Sequence, residues 1–181
     1  MSFIKAGSLV PFGGPILRRE ILANSITVTV MDSVKADTDG FVALGTAGKS
    51  VLGHVEGIGS NLGVGLNTTG AAGAEMGSYV GTFATASDNE TVAKVRAEID
   101  ISQFSLYSGS AATGTFGTTT AGSGEMNGHF DLSDEDDLDE TSYVLTTAQY
   151  FSWGISTNPS SPSNTVIVNI FESQVFNDAQ T

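Results

Sequence analysis

The runs Ser25-Ile-Thr-Val-Thr-Val-Met31 and Asp39-Gly-Phe-Val-Ala-Leu-Gly-Thr-Ala-Gly-Lys-Ser-Val-Leu-Gly-His-Val-Glu-Gly-Ile58 carry the clearest signal of fold class in this chain. Ile26, Val28 and Val30 alternate with Thr27 and Thr29, and a period of two places the apolar set on one face of a strand. Asp39-Gly40 is a turn dipeptide just ahead of the apolar run Phe41–Leu44. Gly45 and Gly48 then break the chain before Val51-Leu-Gly-His-Val55 begins another strand. Short strands punctuated by glycine, with no window fit for a helix, predict an all-β protein. Such strands need closure or packing between subunits to hide their edges, so the expectation for 25–88 is a small antiparallel β-barrel or β-tulip.

The same stretch contains a decoy. Gly45-Thr-Ala-Gly-Lys-Ser50 looks like the end of a phosphate-cradling loop, G-x-x-x-x-G-K-[ST]. The first glycine of that pattern would fall on Ala43, and the next segment carries Gly53, Gly57, Gly59, Gly63 and Gly65. Each glycine costs a helix interior about 1 kcal/mol, so no helix dipole stands behind the loop and a plain hairpin turn is expected.

Composition agrees with an all-β chain: 22 glycines against 4 prolines in 181 residues, with abundant Thr, Ser and Val. The length allows one large or two small domains with enough core to fold unaided. The absence of cysteine excludes a disulfide framework, a thiol nucleophile and a cysteine-type zinc site. The N-terminus, Met-Ser-Phe-Ile-Lys-Ala-Gly, has no apolar core of the signal-peptide kind, and the apolar runs are too short to span a bilayer as a helix. Synthesis in the cytoplasm without export, and no membrane partner, are the expectations.

The net charge of −13 is unevenly placed. Residues 1–88 hold five bases against seven acids, a balance of −2, whereas 89–181 hold two bases against thirteen acids, a balance of −11. Such a surface repels nucleic acid. The acidic half suits a solvated, outward-facing position, and the less acidic half is the better candidate for protein contact.

Three parts are expected. Residues 1–24 mix bulky apolar residues with Pro11, Pro15, Gly13 and Gly14 and read as an extended N-terminal arm. Phe3, Ile4, Val10, Phe12, Ile16 and Leu17 have no obvious local core, so with Arg18 and Arg19 they are the candidate contacts to a neighbouring subunit or surface; a strand packed on the protein's own barrel is the alternative. Residues 25–88 form the barrel-like domain. Residues 89–181 form a second antiparallel β-sandwich or barrel. Within it Ala93, Val95, Ala97, Ile99 and Ile101 alternate with Lys94, Arg96, Glu98 and Asp100, predicting a strand with one buried and one wet face. Gln103–Tyr107 can continue it after a kink; 108–128 reads as a low-complexity surface loop or hairpin extension. Gln149–Ile155 and Thr165–Phe171 are two further strands, with Trp153 as a core anchor.

Few residues point to chemistry. The run Ser133-Asp-Glu-Asp-Asp-Leu-Asp-Glu-Thr-Ser142 could offer oxygen ligands to calcium, but no glycine lies in 129–142 and no flanking helices are evident. A solvated acidic loop or a short turn capped by Ser133 is expected, with no metal and no cofactor. His54 and His129 are the only histidines, and neither a Gly-x-Ser-x-Gly elbow nor a His-Glu-x-x-His motif occurs. They read as ordinary strand residues, and no catalytic site is expected.

The stretch Ala36–Gly57 resembles the small β-rich decoration (cement) proteins on the heads of tailed bacteriophages. The acidic turn followed by Gln149-Tyr-Phe-Ser-Trp153 resembles accessory structural proteins of the same heads. The resemblance implies a non-enzymatic virion protein, made in the host cytoplasm and bound to the outer surface of the capsid. Its implied partners are the major capsid protein and itself, as a homotrimer that stabilises the lattice. Two alternatives stand beside it: another virion component such as a head-fibre base, neck or tail-tube protein, or a carbohydrate-binding β-sandwich with Tyr107, Phe116, Tyr143 and Tyr150 as the sugar platform.

Overall fold

In the computed structural model of the protein, the described residues are 3–9, 17–60, 82–85, 87, 89–90, 97–116, 128–144, 148–155 and 165–171. Among them the regular structure is entirely strand: β1 (Ile4–Ser8), β2 (Leu17–Ile21), β3 (Thr27–Thr29), β4 (Ser33–Ala36), β5 (Val42–Leu44), β6 (Gly53–Ser60), β7 (Thr82–Ala84), β8 (Ala97–Ser102), β9 (Ser105–Ser110), β10 (His129–Phe130), β11 (Tyr150–Ile155) and β12 (Thr165–Ile170). No helix among the described residues is long and apolar enough to cross a membrane.

These strands form two five-stranded antiparallel sheets, neither closed into a barrel, and one small pair. The first sheet runs β1-β9-β12-β11-β10, the second β2-β8-β6-β4-β5, and β3 pairs with β7. The expected N-terminal arm thus supplies an edge strand to each large sheet. Ile4 pairs with Ser108 and Lys5 with Tyr107, while Leu17 to Ile21 lie against Ser102 to Glu98. The alternative weighed for this segment, strands packed on the protein's own body, describes β1 and β2. Nor do the sheets divide at position 88: β8 lies between β2 and β6, so strands from both sides of that position share the second sheet.

Each sheet has its own apolar core. Phe3, Tyr107, Phe130, Tyr150, Val166 and Val168 gather on the inner face of the first, with Phe116, Leu132 and Leu138 from the connections. Val34, Val42, Val55, Ile99 and Ile101 line one face of the second and meet Leu22 and Val28. Phe116 is a fully buried core residue, although it falls in the stretch read as a surface loop. Residues 91–96 of the alternating run lie outside the described residues, but β8 keeps its pattern. Ile99 and Ile101 are buried on one side. The other side is less wet than expected: Glu98 is buried too, beside Arg19.

Turn chemistry follows the sequence. Gly40 has φ +84° and Gly48 φ +67°, left-handed values that glycine adopts without steric cost. The turn around Gly48 leads to β6, not to a helix.

Candidate functional site

The polar residues that first invite a chemical reading lie where the two large sheets touch. His54 leaves β6 on the side opposite Val55 and packs against Phe3, Tyr107 and Tyr150, with ring centroids 4.5, 4.0 and 5.7 Å away. Its Nδ1 is 2.9 Å from the Met31 carbonyl, and its Nε2 is 2.9 Å from the Tyr150 hydroxyl. A carbonyl only accepts, so Nδ1 carries the proton and Nε2 accepts from Tyr150. Burial pushes the imidazole down to about 4 despite the Met31 hydrogen bond, and the ring is neutral. With no exposed edge and both nitrogens engaged, it is built to join the sheets, not to move a substrate proton.

One strand away, Ser102 Oγ donates to Glu56 Oε1 at 2.5 Å and lies 2.6 Å from the Tyr107 hydroxyl. Lys5 Nζ donates to the same Glu56 oxygen at 2.7 Å. This chain runs from the edge strand β1 through β6 and β8 to β9. Burial raises the Tyr107 hydroxyl far above its ordinary range, so it stays protonated and serves as a donor.

Gln149 is the third junction. It is fully buried; its Oε1 accepts from Leu132 N–H at 2.7 Å, and its Nε2 donates to the Thr46 carbonyl at 2.8 Å and to the Lys49 carbonyl. The glycine-rich turn therefore presents carbonyls to a protein amide. An anion cradle requires N–H groups pointing inward, so this is no phosphate loop; nor is it the hairpin turn expected, because β4 lies between β5 and β6 and the segment carries the chain past it.

The acidic segment is a loop pinned from below. Leu138 is completely buried and bridges to Ala111 and Leu132. Asp134 Oδ1 accepts from the N–H groups of Asp136 and Asp137 at 3.3 and 3.1 Å, while Asp139 Oδ1 accepts from Thr141 N–H at 2.8 Å. Carboxylate atoms of Asp134, Asp136 and Asp137 lie within 4.8 Å of one another. Such a cluster could meet a hard cation through three oxygens, half of what calcium usually takes at about six ligands. Burial, with Asp134 and Asp137 beside it, pushes the Asp136 carboxyl up to about 6. The loop is tied to β4 by Ser33, whose N–H and hydroxyl both reach the Glu135 carbonyl. Next to Ser33, burial drives the Asp32 carboxyl up to about 7, opposed by the Thr29 N–H and reinforced by Glu135, Asp136 and Asp134.

The most distinctive surface is the outer face of the first sheet. One row across it reads Val144, His129, Phe151, Asn169; another reads Ile167, Ser108, Ile4, with Trp153 at a bulge in β11 beside Ile167. Trp153 donates its indole N–H to Asn169 Oδ1 at 2.7 Å and meets Phe151 edge-on at 5.4 Å. Phe171 meets the His129 ring at 4.4 Å. Of the six exposed large apolar side chains among the described residues, Ile4, Val144, Trp153 and Phe171 belong to this face. No charged residue stands in either row.

The sequence-based contact set is dispersed by the structure. Phe3 is 1% exposed and stacks on Tyr150 at 5.3 Å, so it belongs to the protein's own core and is no free contact. Ile4 is 67% exposed on the outer face, and Leu17 is exposed on β2. Arg18 pairs with Glu20, and Arg19 grips Asp100 through two bonds of 2.9 and 3.1 Å. Val10, Phe12 and Ile16 lie outside the described residues. The sugar-platform residues fare differently again: Tyr107, Phe116 and Tyr150 are fully buried and Tyr143 is half-buried. Trp153, read as a core anchor, is 52% exposed. A signal for the outer face existed in Tyr150-Phe151-Ser152-Trp153, where aromatic residues occupy both phases of the alternation and one pair must face outward.

Comparison of the chain with protein-family models, curated proteins and solved structures finds no match.

Proposed function

We propose that this protein is a non-enzymatic structural component of a virus particle, a decoration protein on the outer surface of a tailed-phage head. In this reading it binds the major capsid protein and other copies of itself, with a trimer as the implied assembly. The observation that supports an adhesive role is the outer sheet face, where Ile4, Val144, Trp153 and Phe171 are exposed and no charge intervenes. Apolar patches rimmed by polar surface mark interaction sites. The buried polar groups are consistent with it, because His54, Glu56, Tyr107 and Gln149 spend their hydrogen bonds on holding strands together. The viral assignment itself rests on the resemblance of Ala36–Gly57 and the 149–153 strand.

Quantitative mass spectrometry of purified particles tests this reading. A decoration protein is expected in hundreds of copies per head and should leave when heads are washed under dissociating conditions while the coat remains. A handful of copies per particle would instead assign it to a neck, tail or fibre-base position. Absence from particles overturns the viral reading.

A carbohydrate-binding role has one observation in its favour, the aromatic strip Trp153–Phe151 beside the Asn169 amide. Aromatic faces stack on sugar rings, and an adjacent amide can orient the hydroxyls. A glycan array with the native protein and a Trp153→Ala variant decides it: signal lost in the variant supports this role, and no signal removes it.

A further inference from the structure

We propose that the outer face of the first sheet is covered by a second copy of this chain. The contact is face to face and therefore joins copies in pairs; it is a different contact from those within the trimer put forward above, and it stands whether or not the protein decorates a capsid.

Three observations carry it. The first is concentration: four of the six exposed large apolar side chains among the described residues lie on one face, on strands β1 and β11 and at the ends of β10 and β12. The second is charge. Each copy carries −13, so a contact made elsewhere on the acidic surface brings carboxylates together. The two rows Val144–His129–Phe151–Asn169 and Ile167–Ser108–Ile4 contain no ionisable acid or base other than the enclosed His129. Two such faces meet without desolvating a carboxylate. A face without charge also has little means of selecting a foreign partner by electrostatic complementarity, whereas it is complementary to itself. The third is size. Four strands of five or six residues and one of two, at about 3.3 Å per residue and about 4.8 Å between strands, give a footprint of roughly 400 Å² per copy, about 800 Å² for a pair, in the range of weak, transient contacts. That area fits a reversible association.

Trp153 is the only tryptophan in the chain and stands in this face, so it reports the contact directly. Full-length protein is examined by sedimentation equilibrium and tryptophan fluorescence from micromolar to sub-millimolar concentration, at low and high salt. The expected result is a mass above the monomer that grows with concentration, together with a shift of Trp153 emission to shorter wavelength. Salt should strengthen association, because it screens the repulsion between acidic copies and has no attractive ion pair to weaken. Ile4→Lys, at a position 67% exposed, and Trp153→Lys should each return the protein to monomer with unchanged far-UV circular dichroism. Leu17→Lys, an exposed apolar position on β2 in the other sheet, should leave the mass as it was. A monomer under all conditions overturns the proposal, as does an oligomer indifferent to both face variants or broken equally by Leu17→Lys. A monomer whose Trp153 emission shifts on adding cello-, chito- or xylo-oligosaccharides overturns it in favour of a sugar on this face.

Discussion

Phe3 and Ile4 are neighbours in sequence on opposite sides of one edge strand, and their truncation separates two descriptions of the N-terminus. Phe3 is 1% exposed and lies between the rings of Tyr150 and His54, at 5.3 and 4.5 Å. Removing a fully buried Phe side chain costs about 3–5 kcal/mol, the sum of lost transfer energy and the cavity left behind. The site resists collapse, because Tyr150 and His54 are fixed by their mutual hydrogen bond of 2.9 Å. For a chain of this size, about 2–4 °C of melting temperature accompanies each kcal/mol, so Phe3→Ala should melt roughly 6–20 °C lower. Ile4→Ala, exposed on the other side, should change stability by no more than about 0.5 kcal/mol. Urea and thermal melts followed by far-UV circular dichroism measure both. If Phe3→Ala stays within about 1 kcal/mol of wild type while losing association with a partner, Phe3 belongs to a docking arm and its place in the core is wrong.

Other expectations follow from the same contacts. Deleting residues 2–8 removes β1 and Phe3 together and should unfold the first sheet, where a free arm would leave circular dichroism unchanged. Stability should depend on pH through Asp32 and Asp136 on one side and His54 on the other. Asp32 titrates near 7 when folded, so the native state holds its proton more tightly and stability falls as pH rises from about 4 to about 7. His54 titrates near 4 when folded, so stability rises with pH between about 4 and 6.5 as the unfolded imidazole loses its proton. Asp136, held near 6, adds a fall of the same sign as Asp32, so wild type should lose stability between about pH 4 and 6, and Asp32→Asn should largely flatten that window; an unchanged profile in the variant would refute the assignment. Leu138→Ala should cost about 2–5 kcal/mol although it sits in the acidic loop, whereas exchanging Asp134, Asp136 and Asp137 together for Asn should hold or raise the melting temperature. Calcium or chelator should move neither protein, and a calcium-dependent rise confined to wild type would identify those three carboxylates as a cation site. Gln149→Leu leaves Leu132 N–H and the Thr46 and Lys49 carbonyls without their buried partner, and each orphaned group costs about 1–3 kcal/mol.

Most strands were legible because their physics is local. Alternation at 26–30, 97–101 and 165–170, with glycine or Asx punctuation between, specifies extended chain with one inward phase, and β3, β8 and β12 lie there. That Gly45–Ser50 is no phosphate loop was equally local, since glycine spacing forbade the helix an anion loop needs; that it crosses past β4 instead of closing a hairpin was not. Partner choice was not local. Nothing in Ile4–Ser8 or Leu17–Ile21 says that these segments are sheet edges, because their pairing partners lie about a hundred and about eighty residues away, in β9 and β8. Side choice was equally hidden wherever both phases are apolar. In Tyr150–Trp153 the sequence supplies one aromatic residue for one face and two for the other, and only the pairing of β11 with β12 sends Tyr150 to His54 and Trp153 to solvent. The sequence by itself therefore determined that this is a cysteine-free, acidic, all-β chain, through periodicity and composition that need no partner. The tertiary structure decided which residues touch, and with them that Phe3 is core, that Arg19 is bound to Asp100, and that most of the exposed large apolar side chains among the described residues share one sheet face, since each of these depends on contacts between residues far apart along the chain.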